Sequence, residues 1–111
     1  MKRSIKSEQR ETRLLAIICN AAGTAVTGLD SNKVSMADTG TGVKTITLDQ
    51  AFAAADYSVI VTTATADSVA QVSITSSSVF VVNTFDSTDG TTAKDAICHI
   101  LVIGSDVSDR Y

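Results

Sequence analysis

Lys44-Thr45-Ile46-Thr47-Leu48 decides the fold class. Ile46 and Leu48 fall on one side of an extended chain and Thr45 and Thr47 on the other, the period of two that a strand with one buried face requires. Immediately before it, Asp38-Thr39-Gly40-Thr41-Gly42 is a turn, its glycines supplying the φ freedom that reversal needs. Lys33 to Ala37 then reads as the preceding short strand. Working forward, Tyr57 to Thr63 is a strand with Tyr57, Val59 and Val61 on one side. Val69 to Thr75 alternates Ala70, Val72 and Ile74 inward against Gln71 and Ser73. Val79 to Phe85 is apolar on both faces, which suits a central strand or one that touches a partner subunit, and Ala96 to Gly104 closes the series.

At the other end, Leu14 to Ala21 is an unbroken apolar run and reads as a strand buried on both faces, ended by Ala22-Gly23-Thr24. Asp49 to Asp56, rich in alanine, reads as one turn of helix capped by Asp49, with Phe52 folded over an edge of the core. Short strands at such close spacing, with no room for long helices, specify an all-β domain: an antiparallel β-sandwich or small barrel of about seven strands. Composition agrees. Ser, Thr and the β-branched apolar residues are abundant, Pro is absent, and Glu occurs only at Glu8 and Glu11. At 111 residues the material suffices for one domain. With five aromatics and no Trp its core is thin, so oligomerisation would help it.

Charge divides the chain into a polar arm, residues 1–13, and a body, residues 14–111. Lys2, Arg3, Lys6, Arg10 and Arg13 all lie in the arm, whereas the body carries ten Asp against Lys33, Lys44, Lys94 and Arg110. The arm is either a solvated tail or the means of gripping a neighbour, and its five cations are the candidate partner-binding residues. An acidic body repels phosphate, so no specific nucleic acid is expected as a partner. The basic start followed by Leu14 to Cys19 imitates a signal peptide, but Glu8 and Glu11 interrupt it and Asn20 ends the apolar run. An unprocessed, soluble chain with no membrane partner is expected.

Reactive groups are sparse. His99 and Cys98 are adjacent on one strand and therefore point to opposite faces, which rules them out as a dyad. Cys19 and Cys98 each sit in an apolar run and read as buried thiols, with a disulfide between them as the other reading. Asp86-Ser87-Thr88-Asp89-Gly90 is the densest cluster of oxygens, yet turn chemistry explains Asp there without a cation. No enzyme, cofactor or metal is expected.

Thr39-Gly40-Thr41-Gly42-Val43-Lys44-Thr45-Ile46-Thr47-Leu48, then Phe52, then Tyr57-Ser58-Val59-Ile60-Val61-Thr62, resembles a module of tailed-bacteriophage virion proteins. Val79-Phe80-Val81-Val82-Asn83-Thr84 and Ile100-Leu101-Val102-Ile103-Gly104 look like its later strands, so the resemblance spans roughly residues 34–104. It implies a virion surface protein, found in the assembled particle after assembly in the host cytoplasm. Specifically, it implies a capsid decoration or cement protein that binds the major capsid protein lattice as a homotrimer, and alternatively a tail-fibre or tail-tip module that recognises a host receptor. Thirteen residues before the body leave little for a fibre shaft, which favours decoration. Where the module's final strand usually carries aromatics this chain has Ile97 and His99, which removes the exposed rings that sugar sites use.

Overall fold

A computed structural model describes residues 12–105. It is a β-sandwich of two four-stranded antiparallel sheets. Its strands are β1 (Thr12–Cys19), β2 (Val26–Thr27), β3 (Val34–Gly40), β4 (Val43–Leu48), β5 (Ser58–Thr63), β6 (Ser68–Ile74), β7 (Val79–Asp86) and β8 (Cys98–Ser105). The first sheet has the order β2-β1-β8-β5 and the second β3-β4-β7-β6. The seven strands expected from the sequence are all present; the eighth, β2, is only two residues long. The sheet does not close on itself, so the architecture is the sandwich and not the barrel.

The period of two organises the core. β4 turns Ile46 and Leu48 inward and β7 turns Phe80 and Val82 inward, against Leu15, Ile17 and Cys19 of β1 and Cys98, Ile100 and Val102 of β8. Val34 and Met36 from β3, Val59 and Val61 from β5, and Ala70 and Val72 from β6 flank this centre.

Two glycines are placed by steric need. Gly42 sits at φ +70°, and a Cβ there would lie 2.5 Å from the Thr84 carbonyl oxygen. At Gly104 a Cβ would fall 2.7 Å from the Phe52 ring and from Tyr57 Cβ. The bare backbone at Gly104 makes room for a stacked pair, Phe52 on Tyr57 with centroids 4.8 Å apart, and Tyr57 meets Phe80 edge-on at 6.3 Å.

Two sequence expectations are corrected. The Asp49–Asp56 stretch contains no helix: the Phe52 N–H donates to the Ser77 carbonyl and the Ala53 N–H to the Ser105 carbonyl. Those long-range bonds stretch the segment across the end of the core, overriding its alanine content, while Phe52 still covers that end as expected. Second, β1 is not buried on both faces, and it stops at Cys19. Leu15, Ile17 and Cys19 are inside, but Leu14 is 55% exposed, with Ala16 and Ile18 only half-buried. The strand also begins at Thr12, two residues earlier than the boundary drawn between arm and body.

Candidate functional site

The outward residues of β1, β8 and β5 form one continuous surface, and the register specifies it row by row. Leu14 lies beside Ile103, which lies beside Ser58; Ala16 beside Leu101 beside Ile60; Ile18 beside His99 beside Thr62. Six of these nine side chains are aliphatic and none is an acid, a lysine or an arginine. Ile60 is 53% exposed, and Leu29, 85% exposed, stands at the rim where the β2–β3 connection passes β1. Between Leu29 and Ile60 runs an open groove of about 380 Å³ whose lining includes Ala16, Ile18, His99 and Leu101. Single exposed aliphatics are ordinary; here they form a contiguous set in cross-strand register.

Asp30 frames this face. Its carboxylate Oδ2 accepts from the Ala16 N–H at 2.8 Å, and its own N–H donates to the Ala16 carbonyl at 3.0 Å. One residue thereby satisfies the edge of β1 beyond the reach of the two-residue β2, and the edge is blunted against strand addition.

Inside the sandwich, at the end away from Thr12, lies a second group that the sequence did not advertise. Lys44 is 1% exposed and its Nζ donates to the Ala96 carbonyl at 3.1 Å. Its place on β4 follows from the alternation that puts Ile46 and Leu48 inside. Nearby, Cys19 and Cys98 are direct partners across β1 and β8, and both are buried and free. The bonds of Ala16 to Asp30 show that even-numbered peptide groups of β1 point away from β8, so Cys19 and Cys98 form a hydrogen-bonded pair. Such pairs hold their Cβ atoms near ~5.5 Å, too far for a disulfide, which needs about 3.5–4.5 Å. Burial, with the Cys98 sulfur beside it, pushes the Cys19 thiol up to about 11 against the opposing pull of the Lys44 ammonium. The Cys98 thiol is raised by the same burial. At neutral pH both are protonated and unreactive. His99 projects from the opposite face of β8, as expected from the sequence, and is exposed.

The Asp86–Lys94 loop is held by its own acids. Asp86 Oδ1 accepts from the Thr88 N–H and hydroxyl, and Asp89 accepts from the Thr91 and Thr92 N–H groups and the Thr92 hydroxyl. These bonds, the Thr92 hydroxyl first, hold the Asp89 carboxyl down at about 2. Among the described residues no group of three or more His, Cys, Asp or Glu is arranged to hold a metal ion. Nor is any helix among them long and apolar enough to cross a membrane.

Of the arm cations, Lys2, Arg3, Lys6 and Arg10 lie outside the described residues. Arg13 is part of β1: its guanidinium donates to the Gln50 and Ala51 carbonyls and lies 4.1 Å from the centroid of the Phe52 ring. The fold thus uses Arg13 to lock the 49–56 loop over the core. No protein-family model matches this chain, nor does any curated protein or solved structure.

Proposed function

We propose that this chain is a non-enzymatic virion structural protein, a capsid decoration protein that works as a homo-oligomer on the head lattice. The observation that supports it best is the outer face of β1, β8 and β5, a contiguous exposed aliphatic surface. A protein of this kind acts by adhesion, and many modest contacts repeated over a lattice add up to firm attachment. The cations at Lys2, Arg3, Lys6 and Arg10 are suited to gripping acidic capsid surface, and the resemblance to phage virion modules supplies the setting.

Imaging of intact particles carrying a labelled copy of the chain tests this reading. Label on the head, lost when residues 1–11 are deleted and the body left whole, is the expected result; label on the tail, or none on the particle, overturns it. A second reading, a tail-tip module recognising a host surface, is favoured by one feature. The exposed Asp86–Lys94 loop is pre-organised by its Asp–Thr bonds, as a recognition loop would be. It predicts host-cell binding that survives the same deletion.

A further inference from the structure

The interior of the sandwich holds a cation that no carboxylate answers. Lys44 reaches inward from β4 of the second sheet, fully buried, with the Ala96 carbonyl as the acceptor of its Nζ. Among the described residues no acid pairs with it: Asp95, next to Ala96 in the chain, turns its carboxylate to the Gly42 N–H at 2.7 Å. Burying an ammonium on one neutral acceptor is costly, and the arrangement improves when a negative group stands beside it. The groups that stand there are thiols. The Cys98 Sγ donates to the same Ala96 oxygen at 3.5 Å, and Cys19, its direct partner across β1 and β8, is equally buried.

We propose that Cys19 and Cys98 form a two-coordinate site for a soft monovalent metal ion, copper(I), with the Lys44 ammonium as its counter-charge. Thiolates are the donors that copper(I) prefers. The spacing that forbids a disulfide suits this ion: Cβ atoms near ~5.5 Å leave room for a linear S–Cu–S unit. Two metal–thiolate bonds of about 2.3 Å laid end to end hold the sulfurs about 4.6 Å apart. Charge selects the oxidation state. On binding, both S–H bonds break, two protons leave to solvent, and one Cu⁺ with two thiolates makes a monoanion, which Lys44 neutralises. A divalent ion would form a neutral pair and leave the buried ammonium as it was. Zinc would also need further ligands, yet His99 projects from the opposite face of β8 and no third His, Cys, Asp or Glu among the described residues joins the pair.

A route inward exists. Cys19 and Cys98 are the last pair of the β1–β8 ladder, so parting the strand ends admits the ion without opening the rest of the core. The site is separate from the outer face of the first sheet and does not depend on that face being a capsid contact.

Anaerobic titration of the reduced full chain with copper(I), in competition with a chromogenic copper(I) chelator, tests the proposal. The expected result is one ion per chain, two sulfur neighbours and no nitrogen or oxygen neighbour in X-ray absorption at the copper edge, and an unchanged circular dichroism spectrum. Cys19→Ala and Cys98→Ala should each lose the tight site. Lys44→Met, which keeps the side-chain volume, should weaken it by about tenfold to a hundredfold. Zinc(II) offered in the same way should not be retained. No copper uptake by the folded parent, uptake that unfolds it, an ion shared between two chains or a third ligand in the absorption spectrum overturns the proposal. So does tight binding that survives in either alanine variant, or an affinity that Lys44→Met leaves unchanged. The stoichiometry and absorption measurements are made on the parent chain, so they decide the matter even where an alanine variant fails to fold.

Discussion

The two sheets share one core and one alternation, yet they turn different chemistry outward. On the outer face of the second sheet, Thr45 sits between Ala37 and Val81, with Ser73 beyond, and Thr47 sits between Ser35 and Val79. Most aliphatic side chains there have hydroxyl or amide neighbours that water can solvate, the exception being Val69, 43% exposed and paired directly with Phe85. On the first sheet the corresponding rows run Leu14–Ile103 and Ala16–Leu101–Ile60 without interruption. Both sheets contribute inward residues to the one core, so the difference lies on the outer faces alone.

The largest expected effect comes from moving one charge through the sheet. Ile100→Asp and Ile46→Asp place a carboxylate in the core, and each should cost more than about 4 kcal/mol and leave the chain unfolded at 25 °C by circular dichroism. At the adjacent positions, Leu101→Asp and Thr45→Asp should change the urea midpoint by less than about 1 kcal/mol equivalent. Equal losses at inner and outer positions would show that the alternation is misread. Next in size is the buried lysine. Lys44→Ala removes packing and leaves the Ala96 carbonyl with only the weak Cys98 thiol as donor, an expected loss of about 2–4 kcal/mol in urea unfolding. Lys44→Met, which keeps the volume, should lie within about 1 kcal/mol of the parent.

Third, the comparison can be sharpened by exchange: Leu101→Thr with Ile60→Thr makes the first sheet resemble the second. Binding to heads, if it runs through this face as proposed, should weaken by about tenfold or more, with the melting temperature nearly unchanged, as read by particle co-sedimentation and calorimetry. The smallest effects are in titration. The Cys19 thiol is raised from 9.0 in an open chain to about 11 in the fold. The folded state therefore holds a proton that the unfolded state has lost, and the associated stability is complete below pH 9 and lost as pH rises toward 11. Urea midpoints measured across that window should fall less steeply in Cys19→Ala than in the parent, and a thiol reagent at pH 8 should label neither cysteine before unfolding.

Much of this was legible in the residues. Ile46 and Leu48 against Thr45 and Thr47 gave the alternation, and the glycine turn before them set the hairpin of β3 and β4. Leu14 to Ala21 was misjudged because an unbroken apolar run looks the same whether its second face is covered within the chain or by another molecule. The candidate surface was hidden in that ambiguity. Lys44 lay in the segment that was read most clearly, but a charge argues for solvent, and only the carbonyl of Ala96, far along the chain, makes its burial tolerable. The alanines of residues 51–55 suggested a helix, since propensity is local, whereas the bonds to Ser77 and Ser105 that extend the loop are not. A strand of two residues such as β2 is too short to show a period at all.

The longest ladder in the molecule joins β1 to β8, pairing Thr12 with Ser105 and Cys19 with Cys98. All four strands of the second sheet lie between residues 34 and 86. During synthesis, that sheet can assemble while β8 is still inside the ribosome, and β1 must wait beside it without a partner. The outer face of the first sheet, which needs β1, β8 and β5 side by side, is therefore completed last, after the second sheet has all of its strands.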